Sequence, residues 1–186
     1  DGNSNFVVSG GKDLAGNVIL ATPTSGGIII VDNMAPSLFT TGTVAVSGGE
    51  VESGYWNGSN SGLTVSVPIG NDASLSGGTV EIEGRAGNGS YAYASLGSAV
   101  TLSSLDLSKD KLISISDSQL AVHPNYGQGK VFTLRGVLTD VAGNKKEGSP
   151  SSNTLIIDTV VPTASLSYTV AGSPVSRVKK GTEVLV

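Results

Sequence analysis

Asp13-Leu-Ala-Gly-Asn17, followed by Val31-Asp-Asn-Met-Ala-Pro36, returns later in the chain as Asp140-Val-Ala-Gly-Asn144, followed by Ile157-Asp-Thr-Val-Val-Pro162. Asp13 and Asp140 lie 127 positions apart and Asp32 and Asp158 lie 126 apart. Two landmarks that recur in the same order at nearly one period mark an internal repeat. The text after each proline agrees again, with Ser37-Leu-Phe-Thr-Thr-Gly-Thr-Val-Ala45 over Thr163-Ala-Ser-Leu-Ser-Tyr-Thr-Val-Ala171. The period divides the 186 residues into the closing strands of one unit (1–31), a whole unit (32–157) and the opening strands of another (158–186). Arrays of self-sufficient modules span distance more often than they perform chemistry, so the first expectation is a spacer.

Composition narrows the class. A unit of about 126 residues is long enough to enclose a core. Charged residues make up 14% of the chain, and Gly, Ser and Thr are abundant, a balance that suits short strands and many turns. The net charge of −4 would repel a nucleic-acid backbone. Cysteine is absent, which excludes a disulfide framework, a thiolate zinc site and a cysteine nucleophile. No apolar run reaches the ~20 residues that span a bilayer. The start at Asp1 reads neither as a signal peptide nor as an initiator methionine, so any targeting information is expected outside this stretch.

Strand patterning fills the whole unit. Leu63, Val65, Val67 and Ile69 alternate with Thr64, Ser66 and Pro68, and Val80 and Ile82 alternate with Thr79, Glu81 and Glu83, the period-two signature of half-buried strands. Further strands are predicted at 43–47, 91–102, 111–116, 131–139 and 153–157, separated by Gly- and Asn/Asp-rich turns. Asp117-Ser-Gln-Leu-Ala121 predicts one helical turn. About seven strands, lettered A, B, C, C′, E, F and G in chain order, suit an all-β, two-sheet Greek-key sandwich. Leu63, Val65, Val67, Ile82, Phe132, Leu134 and Leu138 are expected in its core.

The order F strand, Asp-x-Ala-Gly-Asn, G strand, hydrophobic-Asp-x-x-x-Pro resembles the bacterial immunoglobulin-like repeats of large surface proteins and adhesins. The resemblance covers the whole repeat. Its specific part is the paired landmarks; from Ala73 to Tyr126 only the strand pattern carries it. Val31-Asp-Asn-Met-Ala-Pro36 is also similar to the calcium-binding linker of cadherins, while Asp158-Thr-Val-Val-Pro162 keeps only the aspartate and the proline. The resemblance implies a seven-stranded immunoglobulin-like sandwich, a non-enzymatic stalk role, an extracellular or bacterial cell-surface location, and neighbouring repeats as partners, with strand addition between molecules as a further route.

Each motif also has a structural role that needs no ligand. In Asp-x-Ala-Gly-Asn the aspartate accepts backbone hydrogen bonds across a hairpin turn, and Gly and Asn tolerate positive φ. The linker proline limits bending on its own. The metal reading adds topology: in an immunoglobulin-like sandwich the start of strand A shares an end with the B–C and F–G loops. Asp32 is thereby expected to meet Asp72, Asp140 and Asn144, an oxygen-rich set that suits Ca²⁺ with its 6–8 hard ligands.

The remaining residues of note have milder readings. His123 is the lone histidine and is expected at the surface of a loop, and one histidine permits no triad. Tyr55 and Trp56 read first as buried aromatics or an interdomain contact; exposed, they or Tyr91 and Tyr93 would supply the rival function, a glycan-binding module that stacks a sugar ring on aromatic faces. Glu81 and Glu83 read as the solvated side of a strand rather than a glycosidase pair. No nucleophile–base pair or phosphate loop stands out, so an enzyme ranks third.

Overall fold

The computed structural model of the chain describes residues 2–4, 11–18, 29–87, 90–165, 169–170 and 173–174. In chain order its strands are β1 (Gly2–Ser4), β2 (Ile29–Val31), β3 (Val44–Ser47), β4 (Tyr55–Trp56), β5 (Gly62–Pro68), β6 (Thr79–Ala86), β7 (Ala94–Ser95), β8 (Val100–Thr101), β9 (Asp110–Ser116), β10 (Val131–Thr139), β11 (Lys145–Glu147), β12 (Leu155–Ile157), β13 (Thr169–Val170) and β14 (Ser173–Pro174). Among the described residues one short helix, α1 (Asp117–Ala121), and a single 3-10 turn at Ala73–Leu75 interrupt them. The protein is all-β, with two sheets facing each other across one core.

One sheet runs β3–β5–β9, antiparallel throughout. The other runs β4–β12–β10–β6–β7, with β11 also on β10 and β8 also on β6. Its spine is the antiparallel pair of β10 and β6, in register from Phe132↔Ala86 to Thr139↔Thr79. Alternation decides what each face does: Val80, Ile82, Gly84 and Ala86 of β6 point inward, and Glu81, Glu83 and Arg85 take the outer face. All seven residues expected in the core are buried, packed with Trp56, Ile113, Ile115, Leu155 and Ile157. Arg135 on the outer face of β10 reaches Glu83 across the strands at 2.7 Å, so Glu83 is half of an ion pair.

Two close approaches explain glycines in mid-strand. A Cβ on Gly84 would come within 2.7 Å of Leu96 Cδ1, and one on Gly136 within 3.1 Å of Val67, closer than packed carbons sit. The chain between β2 and β5 serves both sheets. Thr40 bridges Ser149 in parallel, β3 then crosses to β5, and β4 returns to lie parallel to β12 with Tyr55 opposite Ile156. The strand at β4 was not predicted, because two residues in a Gly/Ser/Glu-rich stretch carry no period. The strand expected over 91–102 is broken into β7 and β8 around Gly97, whose φ is +81°.

The expected helical turn forms where the residues favour it. Ser116 caps α1 reciprocally with Gln119: Ser116 Oγ accepts from the Gln119 amide at 3.3 Å, and Gln119 Oε1 accepts from the Ser116 amide at 2.8 Å. This capping box places Leu120 in the core. His123 then lies buried rather than at the surface. Its Nε2 donates to Gly84 O at 3.0 Å and its Nδ1 accepts from the Asn125 amide at 3.2 Å. Its ring meets Phe132 edge-on at 5.0 Å. The neutral ring with its proton on Nε2 satisfies both partners, so this histidine ties the loop ahead of β10 to β6.

Candidate functional site

Asp140 caps the turn between β10 and β11. Its Oδ1 accepts from the amides of Ala142 (2.9 Å) and Asn144 (2.8 Å), and its Oδ2 accepts from Asn144 Nδ2 (2.9 Å). Gly143 closes the hairpin with φ +93°, the left-handed conformation glycine adopts at no steric cost. Two neighbouring segments pack onto this turn. The 3-10 turn brings Ser74 O to the Val141 amide at 3.0 Å. Gly78 lies so close to Thr139 and Asp140 that any side chain there would strike the Thr139 carbonyl. Asp140 is consequently 3% exposed. Burial pushes its carboxyl upward, but the hydrogen bonds from Asn144, Ala142 and Gly143 outweigh that and hold it below the usual carboxylate range.

The segment that leads into the sandwich, residues 32–36, meets the same turn. Asn144 Nδ2 donates to the Asp32 carbonyl at 3.1 Å, while Asp32 Oδ1 accepts from the Met34 amide at 3.0 Å. Asp72 caps the 3-10 turn, accepting from the Ser74 amide (2.9 Å) and Ser74 Oγ (2.7 Å). The three loops carrying Asp32, Asp72, Asp140 and Asn144 thus share one end of the sandwich. Their side chains do different work there: each aspartate serves its own turn, and Asn144 bridges turn and linker with its N–H groups. Among the described residues no group of three or more acidic or histidine side chains gathers as a metal cluster would.

The opposite end holds a second linker contact that sequence reasoning missed. Gln128, three residues ahead of β10, uses both amide atoms on the segment leaving the sandwich. Its Nε2 donates to Asp158 Oδ1 at 2.6 Å, and its Oε1 accepts from the Thr159 amide at 2.8 Å. Just upstream, the Asp158 amide donates to Trp56 O at 2.8 Å. The only sequence signal was a carboxamide between two glycines, which says nothing of a partner thirty positions on.

The first Asp-x-Ala-Gly-Asn turn repeats the geometry of the second. Asp13 Oδ1 accepts from Ala15 (2.9 Å) and Asn17 (2.8 Å), and Oδ2 from Asn17 Nδ2 (2.7 Å). Gly16 has φ +88°. The flanking pairings coincide as well: Lys12↔Val18 and Ser4↔Ile29 become Thr139↔Lys145 and Val131↔Ile156 when 127 is added to each number.

The aromatic residues divide by burial. Trp56 is 1% exposed and forms part of the core, so it offers no face to a sugar. Tyr93 lies under two guanidinium groups, Arg135 at 4.0 Å and Arg85 at 4.5 Å from its ring centre. Tyr55 and Tyr91 are partly exposed, with Lys130 Nζ 5.5 Å from the Tyr91 ring centre. Comparison of this chain with family models, with curated proteins and with solved structures found no match.

Proposed function

We propose that this chain is a stretch of a tandem array of immunoglobulin-like modules that acts as a non-enzymatic spacer in a bacterial cell-surface or secreted adhesin-like protein. The observation that carries the reading is the hairpin at Asp13–Asn17, which reproduces bond by bond, and in the register of its flanking strands, the hairpin at Asp140–Asn144. Sheet membership supports the immunoglobulin-like lettering: β3, β5 and β9 stand for A, B and E, and β7, β6, β10 and β12 for C′, C, F and G. Mechanics supports the spacer. The segment entering the sandwich runs parallel to the one leaving it at Thr40↔Ser149, and further along the chain β4 runs parallel to β12. A pull along the array therefore loads the Thr40–Ser149 contact in shear, through its two backbone hydrogen bonds, Thr41 amide to Ser149 carbonyl and Ser149 amide to Phe39 carbonyl.

Calcium is a ligand of this reading rather than its foundation. An ion held by Asp32, Asp72, Asp140 and Asn144 would compete for the Asp140 oxygens, which already accept from Ala142 and Asn144. Small-angle scattering on polypeptides of one, two and three periods tests the proposal, with and without calcium. Each period should add a constant step of roughly 40 Å, a nine-residue strand at about 3.4 Å per residue plus a short extended linker. Growth as the square root of the number of periods would describe a flexible string and refute the spacer. A step that lengthens with calcium would restore the ion to the junction.

A further inference from the structure

Two carboxamides flank the longest strand, Gln128 ahead of β10 and Asn144 behind it, and each binds a linker. We propose that they form a pair of linker-binding sites whose ligand is the backbone and aspartate of the hydrophobic-Asp segment, so that β10 fixes the direction of both linkers without an ion. The chemistry is matched at each end. Asn144 splits its amide hydrogens between the Asp140 carboxylate and the Asp32 carbonyl, so the turn that closes the hairpin also grips the leading segment. Gln128 presents its donor to the Asp158 carboxylate and its acceptor to the Thr159 amide, a two-point contact that reads an aspartate followed by a free N–H. A carboxamide is the side chain that offers both roles in one plane.

The two sites are about 30 Å apart, the length of nine extended residues, and the strand between them pairs with β6 from Phe132 to Thr139. Rotation of either linker about its aspartate breaks the hydrogen bond to its carboxamide. Asp32 and Asp158 have the same local habit, each accepting from the amide two residues on (Met34 at 3.0 Å, Val160 at 3.3 Å). The motif therefore presents its carbonyl and carboxylate in a fixed, recognisable shape at both ends.

The inference gives the spacer reading its junction, and it is tested within the single chain of 186 residues, so that its failure leaves the scattering step untouched. Residue-resolved amide exchange is measured on the natural chain and on Asn144→Ala, Gln128→Ala and Asn17→Ala, each in EDTA and in calcium. Rates are taken relative to Val65 and Val67 in the core, which removes any general loss of stability. Gln128→Ala removes the acceptor of the Thr159 amide and should speed its exchange about tenfold, the effect of one ordinary hydrogen bond. Asn144→Ala frees the Asp32 carbonyl and should speed exchange at Met34, whose own acceptor is Asp32 Oδ1, by loosening the segment that holds it. Asn17→Ala, which breaks the matching bond to Asp13 in the first turn, should leave both amides unchanged. The proposal is overturned if Met34 and Thr159 follow the core in every variant, or if their protection in the natural chain is present only with calcium.

Discussion

The two Asp-x-Ala-Gly-Asn turns make the same hydrogen bonds to within 0.2 Å, yet Asp140 is 3% exposed while Asp13 is open to solvent. Five residues are enough to fix the turn, since all its bonds are internal to the motif. Burial comes from elsewhere: Ser74 and Gly78 on one side, the leading linker on the other. Both carboxyls sit below their ordinary range, Asp13 chiefly through the side chain of Asn17 and Asp140 despite a burial that opposes it. The local sequence thus writes the geometry, and the surrounding fold decides how much stability depends on it.

The largest effect expected from this contrast lies beneath the second turn. Leu134, fully buried in β10, should cost about 2–5 kcal/mol on truncation to Ala. In chemical denaturation with amide exchange, protection across 140–144 should fall with the global stability, while 13–17 should not respond. Equal loss at both turns would mean that the first is coupled to the same core.

Next in size is the capping aspartate itself. Asp140→Ala leaves the amides of Ala142 and Asn144 and the Asn144 side chain without their acceptor in a closed environment, at about 2–4 kcal/mol. Asp13→Ala removes the same bonds where water replaces them, and should leave the melting temperature of the sandwich where it was. A comparable drop from both variants would show that burial does not set the difference.

Much of this architecture was legible because it rests on local rules. Alternation at Leu63–Ile69 and Val80–Glu83 yields β5 and β6, Ser116 with Gln119 yields α1, and the aspartate–glycine pattern yields both turns. The convergence of Asp32, Asp72, Asp140 and Asn144 at one end followed from topology, but their individual duties did not. An amide's choice between donating to a carbonyl and turning its oxygen to an ion depends on atoms from three loops. Gln128, β4 and the burial of His123 escaped for a similar reason: each is settled by a partner far along the chain, Asp158, Ile156 and Gly84.

Smaller still is the effect of the turn glycines. Gly143 (φ +93°) and Gly16 (φ +88°) have open space where a Cβ would go, so alanine meets only backbone strain, about 1–2 kcal/mol for a left-handed residue. Gly143→Ala should lower the unfolding free energy of the sandwich by that amount, read from the shift in its denaturation midpoint, and Gly16→Ala should not move it. A larger loss at Gly143 would point to a contact that the open space does not reveal.

Acid titration gives the smallest and most discriminating comparison. A carboxyl whose folded pKa is depressed binds protons less readily when folded, so its contribution is complete above the unfolded value of about 3.9. That contribution is lost as pH falls through the folded value. Asp140 therefore adds to the fall in stability below about pH 4 and nothing to the slope near neutrality. Asp106, held at about 2 chiefly by Lys111 and then by Ser103, adds to the same acid limb. Asp140→Asn keeps the size of the side chain, and it should flatten the fall between about pH 4 and 2 without abolishing it, because Asp106 still titrates. Asp13→Asn should leave the profile of the sandwich unchanged, although a carboxyl titration followed by NMR should place Asp13 below its ordinary range too. Were Asp13→Asn to flatten the curve as much as Asp140→Asn, the first hairpin would unfold together with the sandwich, and the contrast between an autonomous turn and an embedded one would fail.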